Sequence, residues 1–226
     1  MRKYGLPALI ALTGLLYIFA IPSEPFGVKL LFKLIPMALI FAYAYFRSSS
    51  RKRYHYIVLG GLAFCAIGDG TLHWFVIGLF AFLVGHLFYL TAFLGRWRFS
   101  KLRFASLLPL AAFAALMGSE LVRALRLDNQ EHLIAPVLAY VVVISLMAWT
   151  AVMTGNKAAI FGSLLFLASD AILSWNMFVS DVAYSGPLIM LTYYSAQFLI
   201  ASSLPASPAA TDRPAAASGE SVQGNR

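Results

Sequence analysis

Apolar positions along the chain gather into eight long stretches, at about residues 5–22, 28–46, 55–72, 74–94, 102–118, 133–153, 157–178 and 185–204. A helix that spans a bilayer needs about 20 apolar residues, so the fifth stretch is short, and the third and fourth must share a tight turn. The pattern predicts an all-α integral membrane bundle of eight transmembrane helices. Arg2 and Lys3 precede the first stretch as they would a signal peptide, but no small-x-small cleavage site follows. The segment IPSEPF reads as a turn, so the first stretch is taken as a retained helix.

Two carboxylates interrupt this pattern in the same way. Asp69 lies in GLAFCAIGDGTLHW and Asp170 in GSLLFLASDAILSW. Each has Gly eight residues before it, a small residue one before, Leu three after and Trp five after. An ionisable group at membrane depth costs several kcal/mol and marks a functional site by default. The two segments both run outward from the cytoplasm in the eight-span reading. That permits two parallel four-helix halves related by an axis along the membrane normal.

Composition supports a membrane protein. Of 226 residues, 61% are hydrophobic and only 12% charged, too few for the surface of a soluble domain. The net charge of +8 follows topology and not nucleic acid: thirteen of the 17 Lys and Arg fall on the side that holds both termini. Lys29, Lys33, Arg123 and Arg126 fall on the other. The bias places both termini in the cytoplasm. Cys65 is the single cysteine, so no intrachain disulfide forms, and no Cys or His spacing around it suits a metal. Residues 1–204 are expected to form one transmembrane domain, and the Ala-, Ser-, Pro- and Gly-rich residues 205–226 a disordered cytoplasmic tail.

Counting ~1.5 Å per residue from the span ends puts Asp69 roughly 9 Å and Asp170 roughly 12 Å inside a ~30 Å core. On the same count Lys33 lies at ~8 Å, Tyr193 and Tyr194 at ~10–12 Å, and His86 and Gln197 at ~16 Å. The polar groups of the spans thus collect in one layer. Gln197 follows the two tyrosines by four and three residues, which puts all three on one stripe. Blander readings stand beside this one. The carboxylates can be interhelical glue, His86 a packing contact, and Lys33 a snorkelling cation instead of a partner for Asp69. Trp74 and Trp175, near span ends, read first as interface anchors.

Two carboxyls sharing an apolar layer can divide one proton and so offer an acid and a base together. That combination serves hydrolysis through an oxocarbenium-like state, intramembrane proteolysis, or proton-coupled transport and lipid binding without hydrolysis. Residue chemistry alone leaves these open.

GDGTLHW, then GLFAFLVGHLFYLTAF, GSLLFLASDAILSWNMF and LTYYSAQFLIA resemble, in order, the YhhN-type lysoplasmalogenases over roughly residues 30–204. These are multi-span enzymes of bacterial and animal membranes. The family usually has Lys-Pro together in the second span, whereas Leu34 and Ile35 separate Lys33 from Pro36 here. The resemblance implies hydrolysis of the vinyl ether of a lysophospholipid drawn from the bilayer, giving a fatty aldehyde and a glycerophospho-ethanolamine or -choline. For that reaction one of Asp69 and Asp170 is expected to be the acid and the other the base, in an order the sequence leaves open, with His86, Tyr193, Tyr194, Gln197 and Lys33 positioning substrate or water. No metal or other cofactor is implied, since protonation of carbon is the hard step, and the oligomeric state is left open. A bacterial inner membrane is expected, or the endoplasmic reticulum for a eukaryotic source.

Overall fold

The computed structural model describes residues 2–22, 24–47 and 53–205, so the expected tail lies outside the described residues from 206 onward. Helices account for the described elements: α1 Arg2–Phe19, α2 Phe26–Arg47, α3 Arg53–Thr71, α4 Phe75–Leu94, α5 Lys101–Ala105, α6 Leu107–Leu127, α7 Ile134–Thr154, α8 Lys157–Phe178 and α9 Ser185–Ser202. One 3-10 turn, Glu131–Leu133, leads into α7. Among the described residues there is no strand.

Each of the eight apolar stretches coincides with a helix, but not all meet a spanning criterion. Five helical runs are long and apolar enough to cross a membrane: Phe26–Arg47, Phe75–Leu94, Lys101–Leu127, Glu131–Thr154 and Lys157–Phe178. Tyr4–Phe19 is a shorter apolar helix. Helices α3 and α9 fall outside the criterion because their sequences spend positions on Gly, Tyr, Ser, Asp69 and Gln197.

The fifth stretch departs most from expectation. Instead of ending near residue 118, α6 continues to Leu127. Leu121 and Leu125 keep an apolar stripe buried through this extension, while Arg123 pairs with Glu120 at 2.7 Å on the exposed face. Helicity follows backbone hydrogen bonding and amphipathic spacing, so it outlasts a window defined by hydropathy.

Six helices close a ring through contacts of α2 with α3, α3 with α4, α4 with α7, α7 with α8, α8 with α9 and α9 with α2. Outside it, α1 leans on α2 and α9, and α6 on α7 and α8. The two most extensive contacts join each Asp-bearing helix to its successor, α3 to α4 and α8 to α9. Matched glycines explain the closeness. A Cβ on Gly61 would lie 2.4 Å from the Tyr89 ring of α4, and one on Gly162 would lie 2.9 Å from Ile200 and 3.0 Å from the Ala196 carbonyl of α9. Small residues at helix interfaces let backbones approach where no hydrophobic effect drives association. The glycine eight residues before each Asp therefore seats that helix.

Helix α8 is positioned at its other end by a two-residue turn. Gly155 ends α7 in the left-handed region at φ +68, which a side chain rarely adopts. Asn156 then caps α8, its side chain accepting from the Ala159 N–H at 3.1 Å.

Gly61→Val should collide with Tyr89 and destabilise the bundle by about 1–3 kcal/mol, read as a lowered melting temperature in detergent. Gly5→Ala, with nothing within 4 Å of the added methyl, should leave that temperature level or raise it.

Candidate functional site

Helices α2, α3 and α9 bring three of the expected residues together. The Lys33 ammonium lies 3.0 Å from Asp69 Oδ1, with both side chains largely buried. Tyr193 donates its hydroxyl to Asp69 Oδ2 at 2.6 Å. Asp69 is thus held by a cation and a phenol on separate oxygens, and Lys33 does not snorkel away. The separation of Lys33 from Pro36 leaves this contact intact. Pro36 lacks the N–H that would bind the carbonyl of residue 32, and one residue on the Lys33 carbonyl accepts the Tyr194 hydroxyl at 2.8 Å.

The polar stripe of α9 therefore divides. Tyr193 faces Asp69, Tyr194 faces the α2 backbone, and Gln197 points to α4, where its Oε1 accepts the Tyr89 hydroxyl at 2.6 Å. Gln197 belongs to a buried patch with Cys65 and Tyr89 and lines none of the cavities described below.

Asp170 has a different setting. Its Oδ2 accepts a short hydrogen bond from Tyr140 of α7, and His86 Nε2 stands 4.0 Å away. His86 Nδ1 is 2.7 Å from the Phe82 carbonyl one turn earlier. An imidazole nitrogen next to a carbonyl must carry the proton, which leaves Nε2 as a lone-pair acceptor. That atom is buried and has no hydrogen-bond partner among the described residues. Among the described residues no lysine or arginine is paired with Asp170 in the way Lys33 is paired with Asp69.

Both carboxylates line one cavity of about 200 Å³, together with Tyr17, Lys33, Leu72, Phe82, Ser169 and Tyr193. The two acids open in different directions beyond it. Asp69 also borders a polar vestibule of about 270 Å³ near the start of α2 and the end of α3, which Lys29, Lys33 and His73 line. Asp170 also borders a narrow apolar chamber of about 60 Å³ between α4, α6, α7 and α8, among Leu79, Phe113, Met117, Val137, Tyr140 and Ile144. Leu72 lines all three spaces. It sits in the α3–α4 turn, where Gly78 lies so close that a Cβ would stand 2.6 Å from the Leu72 Cα. Helices α4 and α6 both face the chamber but never come within 8 Å of each other between Cα atoms.

The sequence missed Tyr140 and Tyr17. A signal for Tyr140 was present, since it is the one hydroxyl-bearing aromatic in the apolar run of α7. Of the anchor tryptophans, Trp74 is 59% exposed, and Trp175 donates its indole N–H to Ser180 Oγ at 3.0 Å beyond the end of α8.

Known proteins extend this picture. The YhhN family matches residues 28–204. Lysoplasmalogenase TMEM86B of Mus musculus is 30% identical over 207 residues, covering 88% of this chain and 85% of the relative. Its Homo sapiens counterpart is 33% identical over 182 residues, covering 79% and 76%. Lysoplasmalogenase TMEM86A of Homo sapiens is 36% identical over 157 residues, covering 62% of each. No solved structure matches the chain. With the family covering residues 28–204 and these relatives aligned over most of their own length, the chain belongs to the YhhN family.

Proposed function

We propose that this chain hydrolyses the vinyl ether bond of lysoplasmalogens, with Asp170 as the acid and Asp69 as the base. The relatives' names support the reaction. The assignment of roles rests on one observation: the two carboxyls share a cavity but each also lines a second space, Asp69 the vestibule with Lys29, Lys33 and His73 and Asp170 the apolar chamber. A lysolipid bound across the cavity would have its glycerol oxygen beside Asp69 and its alkenyl carbon beside Asp170. Ion pairing with Lys33 keeps Asp69 a carboxylate. Asp170, which among the described residues meets the Tyr140 phenol and no lysine or arginine, holds a proton in this scheme.

The reaction then closes without a cofactor. Asp170 gives its proton to the outer vinyl carbon, and the ether oxygen's electrons form the oxocarbenium ion. Asp69 offsets that positive charge and takes a proton from the water that adds to the carbon. The hemiacetal hydroxyl next returns a proton to Asp170 while Asp69 protonates the departing glycerol oxygen. Aldehyde and alcohol leave, and both carboxyls regain their starting states. Tyr193 orients Asp69 and Tyr140 orients Asp170. His86, its Nε2 4.0 Å from Asp170, lies beside the acid without taking its proton in this cycle. Tyr194 and Gln197 act only through helix packing in this scheme.

Eight spans with both termini in the cytoplasm, arranged as two four-helix halves, complete the proposal. The halves are supported by corresponding contacts: α2 with α3 as α7 with α8, α3 with α4 as α8 with α9, and α4 with α7 as α9 with α2. The outer helices break the correspondence, since α1 reaches α9 but α6 does not reach α4.

Purified protein given lysoplasmenyl-ethanolamine should release free aldehyde in a coupled dehydrogenase assay. The saturated alkyl ether analogue has no carbon–carbon double bond to protonate, so it should bind, resist turnover and inhibit. Equal turnover of that analogue, or solute uptake in proteoliposomes with no aldehyde at all, would overturn the reading.

Asp69→Asn and Asp170→Asn should each lower turnover by on the order of 10²–10⁴-fold. Their stabilities should differ. Asp69→Asn leaves the Lys33 ammonium buried and unpaired, a loss of about 3–5 kcal/mol, whereas Asp170→Asn should melt near the parent. Lys33→Met added to Asp69→Asn should recover stability but not turnover.

Tyr140→Phe removes the donor to Asp170 and should reduce kcat by roughly ten-fold, about the worth of one hydrogen bond to a charged or reacting group, with KM little changed. A rise confined to KM would assign Tyr140 to substrate packing instead.

A further inference from the structure

Tyr17 lines the site but has no part in the reaction as written above. It stands in the last turn of α1, a helix that precedes the residues 28–204 matched by the family. Its side chain is only 9% exposed, yet it borders both the carboxylate cavity and the vestibule. The edge of its ring meets Tyr194, with centroids 6.1 Å apart at 76°. That contact holds the ring and leaves the hydroxyl unengaged.

The other buried tyrosines among the described residues, Tyr89, Tyr193 and Tyr194, each donate their hydroxyl to a protein oxygen. The Tyr17 hydroxyl makes no hydrogen bond among the described residues. Nor is it sealed into the packing as His86 Nε2 is. A buried phenol ordinarily finds a partner, so this one is left for a group that enters the cavity. Tyr17, Lys33, Asp69 and Leu72 form the wall common to the two spaces. Lys33 and Asp69 already hold each other at 3.0 Å. Tyr17 is therefore the polar member of that wall with no protein partner.

We propose that Tyr17 is a specificity-determining residue, whose hydroxyl binds the free hydroxyl on the central glycerol carbon of the lysolipid. The assignment rests on the vinyl ether reading, which puts the ether oxygen beside Asp69. The rest of the glycerol then runs along the shared wall, and its next polar group is that hydroxyl. A phenol can both donate to a hydroxyl and accept from one. A site that bonds a hydroxyl discriminates against analogues lacking it, because its own group is then left unpaired.

Tyr17→Phe removes the hydroxyl and keeps the ring against Tyr194, so the variant should melt with the parent. The paired substrates are lysoplasmenyl-ethanolamine and its 2-deoxy analogue, built on propane-1,3-diol and lacking that hydroxyl alone. Wild-type kcat/KM should favour the hydroxyl-bearing substrate by on the order of ten-fold, about the worth of one hydrogen bond. In Tyr17→Phe the two should come to near parity. Parity already in the wild type overturns the proposal, and so does a preference that survives in the variant. Equal loss on both substrates overturns it too, since a packing role moves both alike.

Binding makes the same comparison without chemistry, by tryptophan fluorescence with the saturated alkyl lysophosphoethanolamine and its 2-deoxy counterpart. Tighter binding of the hydroxyl-bearing ligand, lost in Tyr17→Phe, supports the role of Tyr17 even if no aldehyde is ever released. In that case the proposed reaction fails and the hydroxyl site stands. Aldehyde released from both substrates at equal kcat/KM, with equal affinity for both ligands, overturns the hydroxyl site and leaves the reaction standing. A Tyr17-dependent preference in kcat/KM without one in binding supports the contact and places it in the transition state.

Discussion

A charge buried in an apolar bundle has to be answered by another charge or by hydrogen bonds, and the Lys33–Asp69 pair is where this molecule meets that demand. It ties α2 to α3, and Tyr193 brings in α9. Tyr194 adds a second tie from α9 to the α2 backbone at Lys33 itself. Such pairs are poor sources of stability, since apolar residues of similar size would often do as well or better. A cavity opens directly beside this one. In the proposed reaction its use is to hold one carboxylate ionised beside a second that carries the proton.

Close packing of α3 on α4 and α8 on α9 is what brings the second carboxylate to the same cavity. The matched glycines remove the side chains that would hold these pairs apart. Leu72 and Leu173, each three residues beyond an Asp, then reach the cavity wall. The repeated local sequence thus solves one geometric problem twice, turning a carboxylate inward while the next helix presses on its back. The two copies differ in their partners. A lysine from α2 meets Asp69, and a tyrosine from α7 occupies the corresponding place beside Asp170.

Hydropathy made the eight helices legible because desolvation acts locally along the chain. It misjudged the end of α6, where an amphipathic turn continues the helix after the apolar run stops. Among candidate residues, Asp69, Asp170, Lys33 and Tyr193 were visible because ionisable or hydroxyl groups at mid-span are conspicuous in lipid-soluble sequence. Their pairing was not visible, since contacts between α2, α3 and α9 depend on the closure of the ring. Stripe geometry on α9 predicted a shared face for Tyr193, Tyr194 and Gln197, yet each meets a different neighbour. Tyr140 stayed hidden because a tyrosine in an apolar helix is ordinary until a carboxylate from another helix is set against it.

The apolar chamber lined by α4 and α6, set against the vestibule lined by α2 and α3, would give the proposed reaction two exits with opposite affinities. A fatty aldehyde formed at Asp170 can slide sideways into hydrocarbon, and the glycerophospho ester formed at Asp69 can step into water. Neither product then has to back out along the route by which the whole lipid came in. Each would be drawn off by the solvent it prefers, so that in the proposed reaction the bilayer and the aqueous phase together would work as the pump that empties the site.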